Sequence, residues 1–157
     1  MVRAFLKSAL DKWRDRPAEP AQSSPSANAP LAALLVRAAR ANSDYDPQQI
    51  AAIDRVTASR FGLSVWECIA LRREAEALEE TVGDTVHLTR RIKQAVALED
   101  RPALLRDLWS VILADGKRHD EEDGLMRLVS SLLGLSDRDS AFARQEVQQG
   151  RDQGVDV

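Results

Sequence analysis

The run LADGKRHDEEDGLMRLVSSLLGLS, residues 113–136, sets Asp115 and Gly116 at the end of one apolar stretch and gathers Asp120, Glu121, Glu122 and Asp123 at the start of the next. Carboxylates at this density could hold a hard divalent cation, which asks for about six to eight oxygens, some of them from water. Asp115 and Glu122 are the pair best suited to it, with Asp120, Asp123 or Asp84 as further donors. The run is not an EF-hand, because it lacks acids at alternate positions and the central glycine that such a loop needs. The same acids also suit a structural role as helix caps and ion-pair partners. Asp115 closes an apolar helix, where the helix dipole disfavours a carboxylate by a few tenths to about 1 kcal/mol. A bound cation, or Lys117, Arg118 or Arg90, would offset that cost.

Other chemistries find little support. The chain has one cysteine, Cys68, and two histidines, His87 and His119, too few for a conventional zinc set and none for a disulfide. Cys68 lies within an apolar helical pattern, where a small buried side chain is the usual role. No phosphate loop or dinucleotide fingerprint occurs, and no nucleophile has a base placed beside it by sequence. A non-enzyme is expected. The net charge is -3, and the five basic and three acidic side chains among residues 1–30 leave the rest of the chain more acidic still. That balance argues against a broad nucleic-acid face.

The elements that must position the acids are helical. Residues 1–15 place Phe5, Leu6, Leu10 and Trp13 on one face of an amphipathic helix, with Lys7, Lys12 and Arg14 mostly elsewhere, a face for a membrane surface or a protein partner. Residues 16–30 are rich in Pro, Ser and Ala and read as a flexible linker. Residues 31–149 form the folded domain, and residues 150–157 a disordered tail. Within the domain, Asp46 with Pro47 and Gln49 makes a capping box, as do Ser64 and Glu67. Asp84 caps a helix that turns Val86, Leu88, Ile92, Ala95 and Val96 inward. Asp100 with Pro102 opens the most apolar helix, PALLRDLWSVILA, which Gly116 closes. Strand signals are absent.

An internal repeat runs through this pattern. Residues 41–64, ANSDYDPQQIAAIDRVTASRFGLS, and residues 114–136, ADGKRHDEEDGLMRLVSSLLGLS, share a helix end, an acidic turn, an apolar helix and a closing GLS. Two helical hairpins related by a pseudo-two-fold would bury both apolar faces, giving a single all-α bundle of about seven helices.

The ADG followed after five residues by glutamate and then LLGLS, together with GDTVHLTRRI and LWSVILADG, resembles the TerB family of tellurite-resistance-B-like proteins. Its fold also occurs in some membrane-anchored DnaJ-type co-chaperones, and the resemblance covers about residues 30–148. It implies an all-helical domain in which acids from the two repeats face each other, suspected of binding metal ions, and a link to tellurite and stress resistance. Carried onto this chain, the second repeat supplies Asp115 and Glu122. In the first repeat Asn42 and Gln49 stand at the matching positions, so both acids have become amides.

The expectation from sequence is a cytoplasmic, non-catalytic binding or adaptor protein, peripheral to the inner membrane if the N-terminal face docks there. Its partner is an unnamed protein, with room for a homodimer. The alternative is a divalent metal-ion-binding protein that uses Asp115 and Glu122.

Overall fold

A computed structural model describes residues 28–41, 44–117 and 120–152. These form seven α-helices: α1 (Asn28–Arg40), α2 (Pro47–Phe61), α3 (Val65–Thr81), α4 (Thr85–Ala95), α5 (Arg101–Ile112), α6 (Asp120–Leu132) and α7 (Asp137–Asp152). Short 3-10 turns at Leu98–Asp100 and Leu113–Asp115 bracket α5. The described residues contain no strand.

Helix α1 is the axle of the bundle. Its sequence, NAPLAALLVRAAR, is apolar all round, and Leu31, Leu34, Leu35 and the alanines between them are wholly buried. A helix without a polar face must be enclosed. α3, α4, α5 and α2 enclose this one, with α6 touching it as well. Burying each of these leucines contributes about 1.5–3 kcal/mol. The polar end of α1 is used for capping. Arg37 donates through Nη2 to the Val82 carbonyl at 2.7 Å and the Glu79 carbonyl at 3.2 Å, and Arg40 pairs with the Glu79 carboxylate at 2.7 Å. The last carbonyls of α3 have no acceptor duty inside their own helix, and α3 carries no basic residue in its last turn. A neighbouring helix supplies the missing cations.

The expected capping devices form at α2, α3 and α4. The Asp46 and Ser64 boxes are complete, and Asp84 accepts from the His87 N–H at 3.0 Å. Cys68 is buried, as expected.

Four boundaries or orientations differ from expectation. α1 begins at Asn28, so the end of the expected 16–30 linker is helical, because Ala29 and Pro30 are apolar enough to join the core. α7 runs to Asp152, into the expected 150–157 tail. Val86 is turned to the surface, 39% exposed, because Thr85, Leu88, Thr89 and Ile92 already form the inner face of α4 and Val86 lies to one side of it. Asp100 makes no side-chain cap: it ends a 3-10 turn with helical φ and ψ of -95° and -11°, whereas a capping residue is extended. It is buried instead, and its Oδ1 has no hydrogen-bond partner. Burial, with Glu99 beside it, pushes its carboxyl above the usual range. The expected helix over residues 1–15 and the start of the linker lie outside the described residues.

Candidate functional site

The two repeats meet through the third residue of α2 and the third residue of α6. Gln49 and Glu122 are both wholly buried, and Gln49 Nε2 donates to Glu122 Oε2 at 3.3 Å. The same amide nitrogen lies 3.4 Å from the Ile112 carbonyl at the end of α5. Local sequence fixes this arrangement on the first-repeat side. Asp46 and Pro47 start α2, and Gln49 Oε1 accepts from the Asp46 N–H at 3.4 Å, closing the capping box. Its Oε1 being turned toward the cap, the amide must present Nε2 to the junction. Capping and cross-repeat bonding therefore agree on a single orientation of the side chain.

The neighbourhood of Glu122 is built from helix ends. Gln49 serves the Ile112 carbonyl, and the Arg151 guanidinium donates to the Leu113 carbonyl, so α2 and α7 both satisfy acceptors left over by α5. Asp115 lies half-buried in the 3-10 turn that packs on α2, and its Oδ1 accepts from the Lys117 backbone N–H at 2.9 Å. Gly116 follows with φ 74°, the left-handed conformation that lets the chain leave the helix end. Glu122 and Gln49 are thus brought together, and the Asp115 turn sits against the helix that carries Gln49. Asn42 lies outside the described residues, as do Arg118 and His119.

Whether these groups fit a divalent cation follows from the donor set. Among the described residues no group of three or more His, Cys, Asp or Glu side chains converges to hold a metal ion. At the junction, an amide N–H faces the Glu122 carboxylate, where a cation would have to sit. Two buried carboxylates at this distance could not both ionise without a counterion. Replacing one by an amide supplies the donor that the other requires. Among the described residues the junction fits a hydrogen-bonded structural pair, and no set of three acidic or imidazole ligands converges there to cage a cation.

Sequence reasoning missed two further groups. Arg60 and Asp107 form a bidentate pair between α2 and α5, at 2.8 and 2.7 Å, largely shielded from water. Burial pushes the Asp107 carboxyl up and the Arg60 guanidinium pulls against it, in the geometry of an ion pair. An acid inside PALLRDLWSVILA was the available signal. Tyr45, with φ 36°, donates its hydroxyl to Glu76 while the Arg40 guanidinium stacks 4.7 Å from its ring. Burial and Glu76 push the phenol well above its ordinary range. These contacts hold the first-repeat turn in a backbone conformation that costs a non-glycine residue about 1–3 kcal/mol; nothing in the sequence marks them. A cleft of about 200 Å³ between α6 and α7, lined by Trp109, Asp123, Met126, Ser140 and Arg144 among others, includes none of Gln49, Glu122 and Asp115.

Comparison with known proteins agrees with this architecture. No curated protein and no solved structure matches the chain. The family model described as Tellurite resistance protein TerB matches residues 28–145, from the first residue of α1 into α7. That span contains both repeats and the Gln49–Glu122 junction between them, and the chain belongs to the TerB family.

Proposed function

We propose that the protein is a non-catalytic binding module, an adaptor in tellurite or general stress resistance that works in the cytoplasm. The observation that carries this reading is the Gln49–Glu122 hydrogen bond. It gives Glu122 Oε2 a protein donor from the other repeat, which supports a structural role for the most deeply buried acid of the second repeat and leaves function to the surface. The apolar side chains Phe5, Leu6, Leu10 and Trp13 offer a face for a protein partner, ahead of a Pro- and Ser-rich stretch suited to tethering.

The competing reading gives Asp115 and Glu122 a divalent cation. It has in its favour a fully buried Glu122 next to the helix end that leads to Asp115. It would require Gln49 to turn over, give up its cap and present Oε1 to the metal. One pair of measurements separates the two. Thermal unfolding of the full chain is followed with and without millimolar Ca²⁺, Mg²⁺, Mn²⁺ or Zn²⁺, and a deletion strain is rescued for tellurite survival with wild type, Glu122→Gln or Leu10→Asp/Trp13→Asp. The adaptor reading expects no metal-dependent shift, rescue by Glu122→Gln and failure of the N-terminal variant. A shift abolished by Glu122→Gln, with loss of rescue in that variant, would establish the metal reading in its place.

A further inference from the structure

Helix α4 departs from the charge pattern of the rest of the domain. Several arginines elsewhere are tied down, Arg37 and Arg40 to Glu79, Arg60 to Asp107, Arg72 to Asp54, Arg106 to Glu146, and the exposed Arg55, Arg73 and Arg127 are spread over three different helices, α2, α3 and α6. In α4, TVHLTRRIKQA, Arg90, Arg91 and Lys93 are all exposed, and no ion pair joins them to an acid among the described residues. The helix contains no acid of its own, and its capping Asp84 is occupied by His87. The inner face is filled by Leu88, Thr89 and Ile92, so the three cations share the outward half of the cylinder.

Apolar side chains flank these cations on the surface. Val86, Arg90 and Lys93 follow one another at helical spacing along one ridge of α4. Val86 is 39% exposed at its start, and Leu98, just past its end, is 51% exposed. Helix α6, which packs on α4, exposes Leu128 as well. Cations interleaved with outward aliphatics match a bilayer surface, where phosphates lie level with the upper acyl chains. A nucleic acid would meet the cations but give the aliphatics nothing to enter. It would also have to run past a chain whose net charge is -3, whereas a bilayer touches one face only.

We infer that the outer face of α4 docks on anionic phospholipid headgroups, with Arg90, Arg91 and Lys93 meeting phosphates and Val86 and Leu98 entering the interface. This goes beyond the adaptor reading and does not depend on it. A patch of three cations binds weakly alone, and the sequence of residues 1–16 contains further basic and apolar side chains.

The test is vesicle flotation of the full chain, with phosphatidylcholine vesicles containing about one third phosphatidylglycerol compared with phosphatidylcholine alone. Binding is expected only to the anionic vesicles and should fall as salt rises. Each cation near such a surface contributes about fivefold in partition. The triple variant Arg90→Gln/Arg91→Gln/Lys93→Gln should therefore lose on the order of 100-fold. A control with the same net charge, Arg55→Gln/Arg73→Gln/Arg127→Gln, alters exposed arginines elsewhere and should stay within a few-fold of wild type. Circular dichroism checks that both remain folded. Equal loss in the control, no loss in the α4 variant, or no selectivity for anionic vesicles overturns the inference. So does an α4-dependent affinity for duplex DNA or RNA that exceeds that for vesicles. The rescue assay with Leu10→Asp/Trp13→Asp reads the adaptor proposal separately, so one can fail while the other stands.

Discussion

At the close of the first repeat, Gly62 adopts φ 65° and the Leu63 N–H reaches back to the Ala58 carbonyl at 3.2 Å. At the close of the second, Gly134 adopts φ 76° and the Leu135 N–H reaches the Ser130 carbonyl at 2.8 Å. The serine that follows then caps the next helix in both copies: Ser64 accepts from the Glu67 N–H, and Ser136 from the Asp139 N–H. The two starts have diverged. The first repeat opens through a turn held by Tyr45 and the Asp46 box, and it sends an amide inward. The second opens through Asp115 and left-handed Gly116, and it sends a carboxylate inward. Backbone requirements allow few solutions, so the two GLS closures agree. Across the junction the requirement is complementarity between the copies, and an amide facing an acid meets it where two acids would not.

Restoring the twin acid should have the largest effect on this comparison. Gln49→Glu would place a second carboxylate about 3 Å from Glu122 in a dry site, and a cost of about 3 kcal/mol is expected from urea unfolding at pH 7. Like charges raise the pKa of one member of the pair above its unfolded value. The loss should therefore be full above that raised pKa and shrink as pH falls through it. Unchanged stability, or full recovery with millimolar Ca²⁺ or Mg²⁺, would mean that the junction tolerates or binds charge in a way the amide conceals.

The matched closures offer a medium-sized test. Gly62→Ala and Gly134→Ala should each cost about 1–2 kcal/mol, because both force a side chain into the left-handed region. A Cβ on Gly134 would meet Arg101 Nη1 and Leu98 Cδ1 at 3.6 Å, ordinary contact, so backbone strain alone sets its cost. A large disparity between the two variants would show that the repeats are not equivalent even where their sequences agree.

The smallest expected effect separates two acids that stand one and two residues ahead of a proline, Asp46 before Pro47 and Asp100 before Pro102. Asp46 caps its helix, whereas Asp100 does not and is buried with one oxygen unsatisfied. Asp100→Asn should raise stability by about 1 kcal/mol at neutral pH by removing a desolvated charge. The folded-state pKa of Asp100 is raised, so the native state bears this cost above that pKa and is relieved of it below the unfolded value. The gain should accordingly fade in the acid range. A gain that persists there would have some other origin.

What the sequence determined by itself was the helical architecture, the repeat, the family and most of the caps. Those signals are local: a cap joins residues two or three apart, and a left-handed glycine answers to its own turn. It also pointed to Gln49 and Glu122 as counterparts, because the repeat aligns them. Only the tertiary structure decided that they touch, 73 positions apart, and that the Gln49 amide turns its nitrogen toward the acid. It likewise paired Arg60 with Asp107, lent Arg37 to the end of α3, and turned Val86 outward beside unpaired cations. The physical reason is the same in each case. A side chain's partner across the core depends on how whole helices are placed by burial of α1, and no window of sequence contains that sum.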